Sequence, residues 1–430
     1  MNIGIPKETF PDEQRVALIP PVISKLAAAG FTVLIQKDAG KLAGFSDEEY
    51  QAKGAIIVPE RQSLLSRSDF IFFVHALDKE GKLSRDDLDM MHPGQILISL
   101  LNPLASPDVA ITLAGKGIDA FALELVPRIA RAQSMDVLSS MATIAGYKAI
   151  LLAADHLPRL FPLLMTAAGT LLPAKVFVVG AGVAGLQAIA TARRLGAVVQ
   201  AWDVRSAARE QVESLGASFV EFPMENTDSE TAGGYARTMD ELFYERQREL
   251  MTPVIVESHV VVTSAAVFGS RAPILITEDM VQRMQPGAVI VDLVGEQGGN
   301  CELTEACKII VRHDVTIISP ANLASTVPYH ASQMFANNLT NFVLHLTGQG
   351  KTPPADFNRE DQIVRETMIT RGGEVVHPAL KKLLDARASG SKKMMIFVFT
   401  IVPPKTCSLG APSGSAGRPA DTWHLRPSPW

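Results

Sequence analysis

The residues with the plainest chemical purpose are Gly180-Ala181-Gly182-Val183-Ala184-Gly185, which follow an apolar run at 176–179 and open a helical pattern at 186–195. Glycines at this spacing between a strand and a helix build a phosphate cradle. The first turns the chain tightly, the second lets backbone approach a pyrophosphate, and the third lets helix and strand lie close. The N–H groups that open the helix, those of Val183 and Ala184 among them, have no intrahelical partner and carry the positive end of the helix dipole, which suits an anion. Asp203 stands 18 residues beyond Gly185, at the end of the next apolar run, and Val204 and Arg205 follow it. A carboxylate there accepts hydrogen bonds from ribose hydroxyls and repels a 2′-phosphate, so the pattern predicts NAD(H). Two readings compete: Arg205 is of the type that accommodates a 2′-phosphate, and Asp203 could be a helix N-cap.

Thr263-Ser264-Ala265 ends a further apolar run, at the carboxyl edge where open α/β sheets bind ligands. Small side chains there suit an adenine wall. Gly233-Gly234-Tyr235 lies in a polar stretch over 226–237, where the glycines make a hinge and Tyr235 a lid over the adenosine end, or else an ordinary surface loop. Cys301, Cys307 and Cys407 are too few for a disulfide framework and have no metal-ligand spacing, so no metal site is expected.

These groups need a scaffold, and the apolar runs describe one. Strands are predicted at 2–5, 32–35, 55–58, 70–74, 96–99 and 118–123, with helical patterns at 21–29, 47–53, 61–66 and 107–116 between them. Runs that are apolar throughout, alternating with helices, predict a parallel sheet covered on both faces. The stretch 134–156 reads as one Ala-rich helix, long enough to cross between domains. A second series follows at 175–179, 198–202, 219–221, 259–263, 288–293 and 315–318, and a helix over 329–345 returns the chain to the first unit. The expected fold is α/β, with two doubly wound, Rossmann-like parallel-sheet domains joined by long helices. Residues 1–135 plus 329–387 would form a discontinuous outer domain and 136–328 the NAD(H)-binding domain. The Ser-, Gly- and Pro-rich tail over 388–430 is expected to be poorly ordered.

Composition narrows the function. Forty Lys and Arg against 45 Asp and Glu leave a formal charge of −5, which argues against nucleic-acid binding. The stretches singled out as most apolar, 160–173 and 394–402, fall short of the roughly 20 residues a membrane helix needs. A strand at 2–5 leaves no room for a signal peptide. The expectation is a soluble chain that docks on a membrane partner without inserting.

The run Pro127-Arg128-Ile129-Ala130-Arg131-Ala132-Gln133-Ser134-Met135-Asp136 with Ser139-Ser140, the Thr166-Ala167-Ala168-Gly169-Thr170 segment, Glu230-Thr231-Ala232-Gly233-Gly234-Tyr235-Ala236 and Gly298-Gly299-Asn300-Cys301 resemble the NAD(H)-binding component of proton-translocating nicotinamide nucleotide transhydrogenase, from Met1 to about Leu384. Alanine dehydrogenase is the close relative, sharing Ile5-Pro6-Lys7-Glu8 and Arg15-Val16-Ala17-Leu18. A lysine and a histidine of that relative would fall where His75 and Asn102 stand, so its keto-acid site looks dismantled, with Arg15 left as an ion-pair partner.

The resemblance implies direct hydride transfer of the Si-specific/Re-specific type between NADH on this chain and NADP+ on a partner component, coupled to proton translocation. It also implies a homodimer and membrane-spanning partner subunits. Its place would be the cytoplasmic face of the bacterial plasma membrane, or the matrix side if eukaryotic. Arg128, Gln133, Asp136 and Ser139 would then sit at the nicotinamide end. Arg128 would clamp a carboxamide or phosphate, Gln133 would hold two nicotinamide rings in register, and Asp136 and Ser139 would form a polar pair. Read without the resemblance, Arg128 is a surface ion-pair partner and Asp136 with Ser139 a helix cap or i,i+3 pair. Val267-Phe268-Gly269-Ser270-Arg271 and Asn322–Thr326 depart from the family pattern. An alanine dehydrogenase-like enzyme and a non-catalytic NAD-binding module are the competing readings.

Overall fold

The computed structural model describes residues 1–78, 80–222, 241–266, 271–351 and 357–388. Two sheets carry the chain. The first runs Glu374–Val375, Met368–Arg371, Asp119–Ala122, Ile96–Leu100, Phe70–His75, Asn2–Ile5, Thr32–Gln36, Ile56–Val58. The second runs Ser218–Phe219, Val198–Trp202, Lys175–Val179, Val260–Thr263, Val289–Asp292, Val315–Ile318, Ile309–Arg312. The central strands pair in parallel, and their side chains are buried on both faces: Phe70, Ile71, Phe72 and Val74 have no exposed surface, and neither do Val260, Val261 and Val262. That is why these segments read as unbroken apolar runs.

Each sheet ends in an antiparallel strand, which a purely parallel expectation missed. Met368–Arg371 pairs antiparallel with Asp119–Ala122 and with the edge strand Glu374–Val375, and Ile309–Arg312 pairs antiparallel with Val315–Ile318. Local signals set many boundaries. Ser46 caps the helix Asp47–Ala52 in a reciprocal capping box with Glu49, Thr277 caps Glu278–Arg283, and Pro20 opens Pro20–Ala28.

Both sheets have a point where the strand order reverses, between Asn2–Ile5 and Phe70–His75 in the first and between Lys175–Val179 and Val260–Thr263 in the second. Open α/β sheets bind ligands outside the carboxyl ends of the strands at such points. The predicted 134–156 helix is two elements, a 3-10 turn Ala130–Met135 and the helix Val137–His156. That helix has the length and mean hydropathy, 1.5, of a membrane span, more so than the stretches singled out from sequence. Here it packs against the helices Val183–Arg194 and Pro328–Leu346. At the first crossing a Cβ on Gly146 would stand 2.0 Å from the Ala184 carbonyl, so only glycine lets the helices approach this closely.

The stretch 160–173 forms a short hairpin, Leu164–Thr166 with Gly169–Leu171, whose six strand residues are all exposed. The tail beyond 388 lies outside the described residues.

Candidate functional site

The reversal point of the second sheet opens into a cleft of about 260 Å³. Gly180, with φ +95°, makes the turn out of Lys175–Val179. A Cβ on Gly185 would stand 1.8 Å from the Gly180 carbonyl oxygen, so helix and turn meet as the third glycine requires. A Cβ on Gly182 would meet nothing within 4 Å, which is the open space a closely approaching phosphate needs. Gly182 is also the N-cap of Val183–Arg194 and supplies no capping side chain, leaving the helix N–H groups to an anion. These residues fit a pyrophosphate.

Asp203 is buried, and its carboxylate is engaged. Oδ2 accepts from the Ala181 N–H at 2.7 Å, and Arg205 donates through its backbone N–H, Nε and Nη2 at 2.8 to 2.9 Å. The acidic side chain thus ties the glycine loop to the end of Val198–Trp202, and Arg205 is paired to it. On the opposite wall, Ser264 Oγ donates to the Gly180 carbonyl at 3.0 Å. Asn300 braces that wall from behind: its Oδ1 accepts from the Ala265 N–H, and its Nδ2 donates to the carbonyls of Ala265 and Pro273. Asp292 in turn accepts from the backbone N–H groups of Asn300 and Cys301. The Gly298–Cys301 motif therefore acts one layer behind the cleft.

Arg128 and Ser139 line the other end, with Leu138 and Ala142 from the helix Val137–His156. Asp136 caps that helix, accepting from the Ser139 N–H at 2.9 Å and its hydroxyl at 2.6 Å, so the capping reading of this pair describes its geometry. Gln133 is exposed on the 3-10 turn, outside the lining, and the turn is anchored where Asn338 and Asn341 donate to the Ser134 carbonyl. Eleven expected residues thus share one cleft: Arg128, Ser139, Gly180, Gly182, Val183, Ala184, Asp203, Val204, Arg205, Ser264 and Ala265. Gly185 shapes it from beneath. Gly234 and Tyr235 lie outside the described residues. Trp202, Phe243, Tyr244, Gln247, Pro273 and Leu275 were not foreseen. The helix Glu241–Glu257 supplies three of them; its buried stripe of Gln247, Met251 and Ile255 was the signal that could have found it.

The reversal point of the first sheet is filled by the chain's own side chains. Glu13 and Arg15 form a buried pair, Nε to Oε1 at 2.7 Å and Nη2 to Oε2 at 2.6 Å, and Asn322 bridges both. Glu8 accepts from the N–H groups of Val74 and His75, and Phe10 stacks on His75 with ring centroids 4.9 Å apart. Burial would raise the Glu13 carboxyl, but the Arg15 charge overrides it and holds it at about 2. Burial, with Glu13 nearby, pushes Glu8 up to about 8, and burial pushes the His75 imidazole down to about 4. The Asn102 and Leu101 N–H groups are held by Glu124.

Two αβ domains, each with a strand-order reversal and one with a glycine-loop cleft, define an NAD-binding oxidoreductase-type protein. Comparison with known proteins narrows this: residues 4–145 match the alanine dehydrogenase/PNT N-terminal domain and residues 149–378 the C-terminal domain, so the chain belongs to that family. It is 46% identical over 382 residues to an NAD(P) transhydrogenase alpha subunit chain of Rhodospirillum rubrum, covering 88% of this chain and 99% of the relative. Against the alanine dehydrogenase of Bacillus subtilis the identity is 27%, over 89% and 94% of the two chains. A solved transhydrogenase structure from Sinorhizobium meliloti superposes with a TM-score of 0.75 at 38% identity, covering 88% of this chain and all of that one. Within the family the chain falls with the transhydrogenase alpha subunits.

Proposed function

We propose that this chain is the NAD(H)-binding component of a proton-translocating transhydrogenase, passing hydride directly to NADP+ on a partner component. The observation that carries the reading is the filled reversal point of the first sheet, where the dehydrogenase's keto-acid groups would fall: Glu13 and Asn322 hold Arg15, Phe10 stacks on His75, and Asn102 is no proton donor at neutral pH. The described lining of the open cleft adds one carboxylate, Asp203, already committed to Arg205 and Ala181, and no histidine or lysine. Reduction of a keto acid needs a proton donor beside the reacting carbon; exchange between two nicotinamide rings needs only placement, a contribution worth up to about 7–11 kcal/mol. Bound NADH supplies the hydride, from C4 of its nicotinamide.

The chain's own work is then to bind and orient. The glycine loop and the helix N-terminus hold the pyrophosphate, Asp203 meets the adenosine ribose in exchange for part of its Arg205 pairing, and Ser264 and Ala265 wall the base. Arg128 orients the nicotinamide end, Ser139 is held for it by Asp136, and the exposed Gln133 faces the incoming second ring. Tyr235 with Gly234 closes over the adenosine.

We further infer a homodimer. The hairpin at 164–171 supports it: Met165 within it and Leu172 directly after it are each 80% exposed, and a lone two-stranded hairpin with an apolar surface is marginal in water. The two sheets support the division into 1–135 plus 329–387 and 136–328, with 388–430 a tail. Relatives named as a subunit support membrane-spanning and NADP(H)-binding partners and a peripheral place on the inner membrane face.

The test mixes the purified chain with an NADP(H)-binding transhydrogenase component, NADPH and an NAD analogue. Reduced analogue is expected, and its absence overturns the reading. NADH with pyruvate and ammonia should give no turnover; turnover would make the chain an amino-acid dehydrogenase.

A further inference from the structure

The 3-10 turn Ala130–Met135 carries Gln133, and it depends on outside ties for its register: 3-10 hydrogen bonds are poorly aligned, and runs of six residues are uncommon. With three residues per turn, Arg131 and Ser134 share one stripe, Ala132 and Met135 a second, and Ala130 and Gln133 the third. Ala132 and Met135 are buried, and Gln133 is left exposed. The Arg131–Ser134 stripe is tied to two other elements. The Ser134 carbonyl accepts from Asn338 and Asn341, and the Arg131 guanidinium donates to Asp361, 230 positions away.

Asp361 is itself held. It caps the helix Gln362–Thr367, its Oδ1 accepting from the N–H groups of Ile363 at 2.8 Å and Val364 at 3.4 Å, while Oδ2 meets Arg131. His345 Nε2 stands 3.4 Å from Oδ1. Burial would raise this carboxyl, but the hydrogen bonds from Arg131, His345 and the two N–H groups hold it at about 2. Asn338, Asn341 and His345 are spaced i, i+3 and i+7 on the helix Pro328–Leu346, so one stripe of that helix serves both ties. Arg131 is half-exposed, and an ion pair of that kind adds little to stability. What the pair fixes is position.

We propose that Asp361 is a positioning residue for hydride transfer, acting through Arg131 to hold the turn that presents Gln133 to the second nicotinamide ring. The inference rests on the reading that this chain exchanges hydride with a nucleotide on a partner component. Asn338 and Asn341 pin the far end of the turn, so without the Asp361 tie the end next to Arg128 swings about a fixed point. A misplacement of about 1 Å at reacting groups costs up to about a hundredfold in rate.

The experiment mixes the full chain with an NADP(H)-binding transhydrogenase component, NADPH and an NAD analogue. It reads the first-turnover rate at saturating partner, with NADH affinity measured separately by fluorescence titration. Asp361→Asn keeps a good helix cap but sets an amide donor against the Arg131 donors. It should slow transfer roughly tenfold or more, with NADH affinity within about twofold of wild type and the melting temperature little changed. Arg131→Met should slow transfer to the same degree, and Arg131→Lys should keep most of the rate. Combining Arg131→Met with Asp361→Asn should be no slower than either alone, because both remove one tie. The two Arg131 variants leave the cap untouched, so they carry the test if Asp361→Asn melts early. A wild-type rate in folded Asp361→Asn or Arg131→Met overturns the proposal. Additive losses in the double variant overturn it too, as does NADH affinity that falls in step with the rate. If the wild-type chain itself reduces no analogue, the transhydrogenase reading fails and the proposal falls with it.

Discussion

The two reversal points of this molecule are the same topological feature with opposite outcomes. In the second sheet, glycine and a capless helix leave backbone donors facing open space, and the carboxylate at the adjoining strand end is the cleft's single acid among the described residues. In the first, Glu8, Phe10, Glu13 and Arg15 fold back over the strand ends and meet His75 and Asn322, so donors and acceptors satisfy one another. A site stays available only where the protein withholds partners from its own polar groups. Arg15 illustrates the alternative: a guanidinium held by a buried carboxylate at 2.6 Å, with its charge already neutralised, has little left to offer a substrate.

Removing one partner from the filled point should give the largest effect. Glu13→Gln leaves the Arg15 charge buried and short of its carboxylate, and urea unfolding should show a loss of about 3–5 kcal/mol with NADH affinity unchanged. A loss under about 1 kcal/mol would mean that the pair is not held as the geometry indicates. In the open cleft the pattern should invert. Asp203→Asn should weaken NADH by about 1.5–3 kcal/mol, the range for hydrogen bonds to a charged group, measurable by fluorescence titration.

The glycines separate packing from binding. Gly185→Ala drives a Cβ to 1.8 Å from the Gly180 carbonyl and should cost about 1–3 kcal/mol of stability in thermal melts. Gly182→Ala meets nothing and should leave the melting temperature in place while NADH affinity falls about tenfold through the blocked phosphate approach. Equal effects of the two substitutions on stability would contradict the assigned roles.

The smallest effect is a pH slope from the filled point. Unfolded His75 takes its proton near 6.5 and folded His75 only near 4, so the unfolded state binds more protons in that window. The His75 contribution, present above 6.5, is therefore lost as pH falls to 4, and the Glu13 contribution follows toward 2. Glu8 acts in the opposite sense: its folded form keeps the proton up to about 8, so its contribution is complete below 4.5 and is lost as pH rises through that range. Between 4.5 and 6.5 the His75 and Glu8 contributions oppose each other, so the denaturation midpoints of His75→Phe should fall more steeply than those of wild type as pH rises through that range; an unchanged profile would place the pH sensitivity elsewhere.

Much of the cleft was legible because its parts are consecutive or tied to element ends. Gly180 to Gly185, Asp203 and Ser264 each begin directly after a strand, and the alternation of apolar runs placed those ends within a residue or two. Residues that converge from distant segments left no such mark. Gln247 and Tyr244 enter from a helix whose period was not read, Asn300 acts from behind the wall, and Arg205 turned out to be bound to the carboxylate it was weighed against. The antiparallel edge strands were missed for a related reason, since strand direction depends on how the chain returns and leaves no periodicity to read.

Backbone chemistry was determined by sequence alone: where the chain turns, which segments are apolar enough to be buried on both faces, and which helix begins on glycine, because each of these depends on residues a few positions apart. Whether a strand end becomes a cleft or a sealed cluster was decided only by the tertiary structure. Glu13 and Asn322 are 309 positions apart, and nothing in either neighbourhood says that both accept hydrogen bonds from Arg15. Long-range pairing of buried polar groups sets what remains available to bind a ligand, and that pairing exists only once the sheets have formed.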